Sequence, residues 1–249
     1  MRHHLAESPL GDAFNFKRVN KLVGNGRLGI IKVVFYAKIN YFCNMNQFGI
    51  ATDYPVDVRV LQAEMGQYKA PSMKIQRLAK QGDLIRLRRN LYLIPDERPV
   101  NTFLVANSIL APSYVSGLSA LWYYGVIPEF VYEVISMTTK RSTVYLNPLG
   151  TFRYVSLPLD YYQAGIVMEP IDGRDVFFAS KEKALCDYIY MTHGLNLRYT
   201  GEILRWMEDE MRFDMDIIAS MDLSVLRQCA IFGHKRQMIE KIANIISHG

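Results

Sequence analysis

The stretch from Lys69 to Pro95, KAPSMKIQRLAKQGDLIRLRRNLYLIP, constrains the fold more than any other part of the chain. It holds seven lysine and arginine residues against a single acid, Asp83. In its first half the apolar residues recur at helical spacing, and in its second half apolar and basic residues alternate as in a half-buried strand. The stretch therefore predicts a basic helix followed at once by a short two-stranded ribbon.

The predicted helix begins at Pro71, a residue suited to a first turn, and stops at Gly82. Its apolar side consists of Pro71, Ile75, Leu78 and Ala79. The residues that point the opposite way are Met73, Arg77 and Lys80, with Lys74 and Gln76 on the flanks. The outer face of this helix is therefore predicted to be cationic.

A second helix is predicted to precede this one. It begins near Pro55, places Val56, Val60 and Leu61 on one apolar side, and stops at Gly66. A four-residue connection, 67–70, leads to Pro71, and a short helix is predicted earlier, at 46–51. Two helices, a short turn and a cationic outer face on the second helix are typical of a helix-turn-helix.

The ribbon is predicted to run from Leu84 to Arg88, turn at Arg89-Asn90, and return from Leu91 to Ile94. A two-residue turn requires positive φ angles, which Asn tolerates better than other non-glycine residues. A helix-turn-helix followed by a cationic hairpin indicates a winged helix-turn-helix, a module that reads double-stranded DNA.

In this interpretation Gln76 and Arg77 approach base edges in the major groove, because Gln pairs with adenine and Arg with guanine. Lys74 and Lys80 contact phosphates, and the hairpin arginines grip phosphate or the minor groove. The residues predicted to contact DNA are Lys69, Ser72, Lys74, Gln76, Arg77, Lys80, Arg86, Arg88 and Arg89. The alternatives are an ordinary solvated helix face and an edge strand that its charges protect from pairing.

The net charge of +5 and the pI near 9.0 arise outside this segment. Residues 1–44 carry seven basic and two acidic residues, which accounts for the whole excess. They also contain GNGRLG, which matches GxGxxG, but no strand precedes it and no helical pattern follows it. Two interpretations of residues 1–44 stay open: a flexible extension, or sequence upstream of a start at Met45.

After residue 98 the sequence changes to a mixture of helical and strand patterns. Helices are predicted at 101–110, from Ser113 or Ser116 to Gly125, from Ser180 to Gly194, from Thr200, and through the last 35 residues with breaks near Asp222 and Gly233. Strands are predicted at 130–138, 143–146, 151–157, 165–171 and 176–178, with a hairpin turn at Asp172-Gly173. The predicted fold class is α+β, with an extension (1–44), a winged helix-turn-helix domain (45–97) and a mixed α/β domain (98–249).

No pattern in the sequence predicts catalysis, a metal or a cofactor. The three cysteines lie far apart, and neither the histidines nor the serines stand at the spacing of known catalytic motifs. Asp214 and Asp216 resemble a metal-binding DxD pair, but they stand at a predicted helix start, where capping is expected. No apolar run approaches the roughly 20 residues of a membrane span. We therefore expect a soluble, cytoplasmic protein that is not an enzyme.

Four further groups of residues are predicted to be structural. Ser119 is expected to pack a helix, and Trp122, Tyr123 and Tyr124 to belong to the core. The acidic run 208–210 and the basic cluster of Lys235, Arg236 and Lys241 are expected to be solvated faces.

Three segments resemble the AbiEi-type antitoxins, the antitoxin and repressor half of type IV toxin–antitoxin systems. KIQRLAKQGDLIRLRRNLYLIP is similar to the winged-helix segment of that family, SYVSGLSALWYYGVI to its Ser-Ala-rich helix, and VFFASKEKALCDYI to its strand and Glu-Lys-Ala-Leu helix start. The likeness covers roughly residues 45–200 in order. Asn90 departs from the pattern, because the family more usually has Gly at that point of the hairpin.

The resemblance implies a cytoplasmic bacterial protein of phage defence that represses its own operon and opposes a nucleotidyltransferase toxin. Its expected partners are an operator, presumed to be an inverted repeat, and that toxin, with no membrane partner. Two other functions stay open: a stand-alone winged-helix transcriptional regulator, and a nucleotidyltransferase-like enzyme built on residues 98–249.

Overall fold

The computed structural model describes residues 54–96, 99–232 and 235–248. They belong to one compact unit, Thr52–Gly249, which combines helices with two sheets. The chain is therefore a mixed α/β protein. The following predicted features lie outside the described residues: the extension 1–44 with its GxGxxG match, the helix at 46–51, the boundary at 97/98 and the break at Gly233.

A three-stranded antiparallel sheet and two helices form the first part of the described chain. Its elements are β1 (Val56–Asp57), α1 (Val58–Glu64), α2 (Pro71–Gln81), β2 (Ile85–Arg88) and β3 (Leu91–Leu93). The strand order is β1-β3-β2, so β3 pairs with both of its neighbours.

The predicted helix start at Pro55 is wrong. Val56 and Asp57 form a strand that pairs with Leu91 and Tyr92 of β3, and this pairing satisfies backbone groups that a helix would have used. Asp57 then caps α1, since its carboxylate accepts a 2.9 Å hydrogen bond from the backbone N–H of Arg59.

The predicted apolar side of α1 is only partly correct. Leu61 is fully buried, and so is Met65 at the end of the helix. Val60, which was expected beside Leu61, is 46% exposed. Val56 is buried from strand β1 rather than from the helix, so the buried face of α1 itself is narrower than the sequence pattern indicated.

The predicted limits of helix α2 are confirmed. Pro71 stands at its first position, and Gly82 ends it with φ = +82°, donating its N–H to the carbonyl of Leu78. Ile75 and Leu78 are buried on the inner side. Full burial of such a side chain contributes about 1.5–3 kcal/mol, so these two residues stabilise the helix in its place in the fold.

The predicted hairpin is also confirmed. Asn90 adopts φ = +64° in the turn between β2 and β3, as its amide side chain permits. The register shifts between Arg86 and Arg88, which marks an irregularity next to the turn.

The remaining elements build a six-stranded sheet and the helices that cover it. They are α3 (Thr102–Ile109), β4 (Ser113–Val115), α4 (Gly117–Tyr123), β5 (Glu133–Thr138), β6 (Thr143–Asn147), β7 (Gly150–Ser156), α5 (Leu159–Tyr162), β8 (Ile166–Ile171), β9 (Arg174–Ala179), α6 (Lys181–Met191), α7 (Thr200–Arg205), a π-helical turn (Trp206–Glu210), α8 (Met215–Ala219), α9 (Leu223–Phe232) and α10 (Arg236–His248). The strand order is β6-β7-β5-β4-β9-β8. The β5–β7 and β4–β9 pairs are parallel, and the others are antiparallel.

Most of this part agrees with the sequence prediction, including the turn at Asp172-Gly173, where both φ angles are positive. Ser180 caps α6 by accepting a hydrogen bond from the N–H of Lys183. The helix Gly117–Tyr123 has Ser116 at its N-cap, which is one of the two predicted starts. The sequence pattern predicts neither strand β4, which contains Ser113, nor helix α5. Strand β5 starts at Glu133 rather than at 130, and α6 ends at Met191 rather than at Gly194.

The hairpin shares a hydrophobic core with the six-stranded sheet. Leu87, Leu91 and Leu93 belong to the same cluster of buried side chains as the strands and helices that follow. Two hydrogen bonds reinforce this contact. The amide of Asn147 donates to the carbonyl of Leu87 (3.1 Å), and Nε of Arg88 donates to the carbonyl of Ile109 (2.7 Å).

Within the described ranges, no helix is both long enough and apolar enough to cross a bilayer.

Candidate nucleic-acid interface

Helix α2 presents a continuous exposed face opposite the buried Ile75 and Leu78. This outer face consists of Ser72, Met73, Gln76, Arg77 and Lys80. Residues three and four apart lie side by side on a helix, so Met73, Gln76, Arg77 and Lys80 form one row along it. An elongated exposed row of this kind, polar except for Met73, has the shape that a DNA groove admits.

Two of the predicted DNA-contacting residues on α2 also have partners within the protein. Oγ of Ser72 accepts a 2.9 Å hydrogen bond from the amide of Gln62 on α1. The ammonium group of Lys74, which is half-buried, lies 5.3 Å from the ring centroid of Tyr68. Lys69, in the connection between the helices, is exposed. Ser72 and Lys74 therefore help to hold α1, the connection and α2 together.

The hairpin arginines differ in their surroundings. Arg86 and Arg89 are exposed, whereas Arg88 is half-buried. The Arg88 guanidinium donates to the carbonyl of Ile109 at 2.7 Å and to that of Arg89 at 2.9 Å. Arg88 therefore anchors the hairpin to α3, and the exposed positive charge near the turn comes from Arg86 and Arg89.

We use the term cationic set for the exposed basic side chains of this region: Lys69, Arg77, Lys80, Arg86 and Arg89. Within the described part of the chain none of the five forms an ion pair. Arg59 of α1 differs, because it pairs with Asp57 at 2.9 Å. That hydrogen bond lowers the pKa of Asp57. The uncompensated charge of this region thus lies on α2, the connection before it and the hairpin.

Asp214 caps a helix, as its position predicted. Its carboxylate accepts hydrogen bonds of 3.1 Å from the backbone N–H groups of Asp216 and Ile217, at the start of α8. Among the described residues, no three His, Cys, Asp or Glu side chains come together as metal ligands.

The prediction that Lys235 lies on a solvated face is wrong. Its ammonium group donates to the carbonyls of Ile189 (2.7 Å) and Thr192, at the C-terminal end of α6. A cation at this end of a helix complements the helix dipole. Burial lowers the pKa of Lys235. Arg236 pairs with Glu240 on the surface of α10, and Lys241 donates to the carbonyl of Arg198.

The predicted structural roles of Ser119 and the aromatic residues are confirmed. Oγ of Ser119 donates to the carbonyl of Glu133 and accepts from the N–H of Ile135, which joins α4 to β5. Trp122, Tyr123 and Tyr124 are half-buried and pack against the core. Beside them lies a cleft of about 300 Å³ lined mainly by aromatic and aliphatic side chains.

A buried ionic cluster, which the sequence reasoning missed, centres on Lys183 and Asp187 of α6. Nζ of Lys183 lies 3.0 Å from Oδ1 of Asp187 and donates to the carbonyl of Tyr161 at 2.7 Å. Oδ2 of Asp187 accepts hydrogen bonds from Ser116 (2.6 Å) and Tyr114 (3.0 Å). Burial raises the pKa of Asp187, while the ammonium and hydroxyl groups act in the opposite direction.

This cluster has no surface for a substrate, because the side chains of Lys183 and Asp187 are fully buried. It joins α6 to β4 and to the segment around Tyr161, so its role is structural. The available signal was the i, i+4 spacing of Lys183 and Asp187 on a predicted helix. The same spacing is also common for ion pairs on solvated helix faces. A buried pair could therefore not be distinguished from an exposed one without the tertiary contacts.

The sequence matches no protein-family model and no curated protein.

Proposed function

We propose that this chain is a DNA-binding antitoxin of a type IV toxin–antitoxin system. In this proposal it is a cytoplasmic protein that represses its own operon and counteracts a nucleotidyltransferase toxin. The observation that carries the DNA-binding part is the cationic set on α2, the connection before it and the hairpin, none of whose members forms an ion pair within the described chain. The antitoxin part depends on the resemblance of three segments to the AbiEi family.

The arrangement of the first elements supports a winged helix-turn-helix. Helices α1 and α2 follow each other through a short connection, and the hairpin comes directly after α2. Strand β1, which precedes α1, completes the sheet by pairing with β3. In such a module the second helix lies in the major groove and the hairpin contacts the flanking backbone.

The exposed row on α2 supports a division of roles within the interface. Gln76 and Arg77 are exposed side chains whose donors and acceptors match adenine and guanine edges. Lys80, Arg86 and Arg89 are exposed cations suited to phosphates. Phosphate contacts provide most of the affinity and make it dependent on salt, and base contacts select the site.

The DNA-binding part is tested by gel shift on the DNA upstream of the chain's own gene. We expect retention of that fragment by the wild-type protein and its loss in the Arg77→Ala/Arg86→Ala variant. The control is Arg227→Ala, which removes an exposed arginine from α9. Unchanged binding by the double variant would refute the assignment of this face.

Arg88 is unsuitable for this test, although the sequence places it among the DNA-contacting residues. Its guanidinium is bonded to the carbonyls of Ile109 and Arg89, so its removal also disturbs the hairpin. Lost binding in an Arg88 variant would not separate a missing phosphate contact from a displaced hairpin.

The antitoxin part is tested by co-expression with the neighbouring gene. We expect that the neighbouring product slows growth and that this chain restores it. The Arg77→Ala/Arg86→Ala variant should still restore growth, because neutralising a toxin and reading an operator are different activities in this proposal. Specific DNA binding without growth rescue would instead identify a stand-alone winged-helix regulator.

A further inference from the structure

Met73 is the most unusual residue on the exposed row of α2. Its side chain is 72% exposed, in the first half of the helix, while its immediate neighbours in the row, Gln76 and Arg77, are polar. The packing of α2 is supplied from the other side by Ile75 and Leu78. Met73 therefore contributes little to the fold and leaves an apolar side chain in water.

The surroundings of Met73 favour DNA over a second copy of this chain as its partner. A symmetric contact between two copies through this face would bring Arg77 and Lys80 of one copy against the same cations of the other. Like charges brought together in this way oppose association. A polyanion such as DNA is instead attracted to these cations. Met73, which lies among them, would then contact an apolar group in the DNA groove.

The major groove offers one such group, the 5-methyl of thymine. The N-terminal residues of a recognition helix are those that contact base edges. Met73 is the third residue of α2, one turn before Gln76 and Arg77. Its unbranched thioether side chain adapts readily to the shape of a partner.

We propose that Met73 is a specificity-determining residue that selects thymine by contact with its 5-methyl group. The inference rests on the proposed DNA-binding function and adds to it one residue and the chemical group it reads. It predicts a base preference that the polar residues of the row do not supply, since Gln and Arg pair with purines.

The experiment uses the full chain and the upstream fragment, on which a footprint first defines the protected bases. A series of duplexes then replaces each protected thymine by deoxyuridine, which removes only the methyl group. For the wild-type protein we expect that, at one thymine position of a half-site, a single replacement weakens binding about fourfold, the value for one buried methyl group. Met73→Ala should bind the thymine duplex and the corresponding deoxyuridine duplex equally.

Two further variants make the result specific. Met73→Leu keeps an apolar side chain and should retain the preference for thymine over deoxyuridine. Gln81→Ala, at the exposed end of the same helix, should leave the preference unchanged. Thermal unfolding checks that each variant is folded, which we expect because both positions are exposed.

The outcomes separate this inference from the function on which it rests. If the wild-type protein does not bind the fragment, the proposed function fails. If the wild-type protein binds, but every deoxyuridine replacement changes its affinity by the same factor as that of Met73→Ala, the inference about Met73 fails while DNA binding stands. If Met73→Ala instead changes the oligomeric state in sedimentation, Met73 belongs to a contact between copies and the inference is overturned.

Discussion

The ammonium group of Lys183 lies 3.0 Å from the carboxylate of Asp187, and both side chains are fully buried. Two hydroxyl groups, those of Tyr114 and Ser116, donate to the same carboxylate. Each charge is thus neutralised by the other, and their hydrogen bonds tie α6 to β4. Removal of one partner leaves the other charge buried without compensation.

Lys183→Met should therefore destabilise the protein by roughly 3–5 kcal/mol, the usual cost of breaking a buried ion pair. Lys183→Met/Asp187→Leu should recover much of this loss, because no isolated charge remains. Urea unfolding of both variants provides the measurement. A double variant less stable than the single one would contradict this explanation.

Gly165→Ala should be strongly destabilising. Gly165 has φ = +66°, and an added Cβ would lie 2.8 Å from Cβ of Lys183. The left-handed backbone costs about 1–2 kcal/mol for alanine, and overpacking adds about 1–3 kcal/mol. Gly194→Ala is the matched control, since Gly194 has φ = +77° and open space around it. Equal effects of the two substitutions on urea unfolding would argue against the steric contribution.

Asn147→Ala should weaken the proposed DNA binding although Asn147 lies on β6. Its amide nitrogen donates to the carbonyl of Leu87 in β2, and its amide oxygen accepts from the N–H of Leu149. Loss of the two hydrogen bonds should cost roughly 2 kcal/mol of stability. A looser hairpin would also present Arg86 and Arg89 less precisely. Gel shift and thermal unfolding together provide the check. Ser247→Ala, on the exposed end of α10, is the control. DNA affinity equal to that of the wild type would show that the hairpin does not depend on this contact.

Arg86→Ala/Arg89→Ala should reduce the salt dependence of the proposed DNA binding. Each phosphate contact contributes about 0.9 to the slope of log affinity against log salt, so the double variant should lower its magnitude by roughly 1.8. The thermal midpoint should stay unchanged, because both side chains are exposed. An unaltered slope would place these two arginines away from phosphates.

Asp222→Asn should change the acid sensitivity of the protein. Hydrogen bonding by the Ser224 side chain, together with the 2.7 Å hydrogen bond that the backbone N–H of Ser224 donates to the Asp222 carboxylate, lowers the pKa of Asp222. Its contribution to stability is therefore complete above the unfolded value of about 3.9 and is lost as the pH falls through the lower folded value. The side-chain oxygen of Asn can accept the same hydrogen bond without titrating, so the variant should gain stability relative to the wild type as the pH falls below about 4. Parallel thermal midpoints over that range would contradict the prediction.

Features that depend on neighbouring residues could be predicted from the sequence. Pro71 and Gly82 mark the ends of α2, and Asp172-Gly173 marks a hairpin, because each of these residues permits a particular backbone conformation. Ser180 likewise caps α6 through a hydrogen bond to a residue only three positions away.

Features that depend on distant residues could not be predicted. Strand β1 has two residues and exists only because it pairs with β3, about 35 positions later. The carbonyl that holds Arg88 belongs to Ile109, and the hydroxyl that reaches Asp187 belongs to Tyr114, 73 positions away. The basic composition of the hairpin was visible, but the division of its arginines into an anchor and two exposed charges required the tertiary contacts.

The burial of β3 has a consequence for the entropy of binding. Leu91, Tyr92 and Leu93 are all buried, so the strand that leads away from the turn is fixed before any ligand arrives. A partner that meets Arg86 and Arg89 then orders only their side chains, at about 0.5–1.5 kcal/mol each, and not the backbone. The residues that stabilise the fold thus also preorganise the hairpin for the association proposed above.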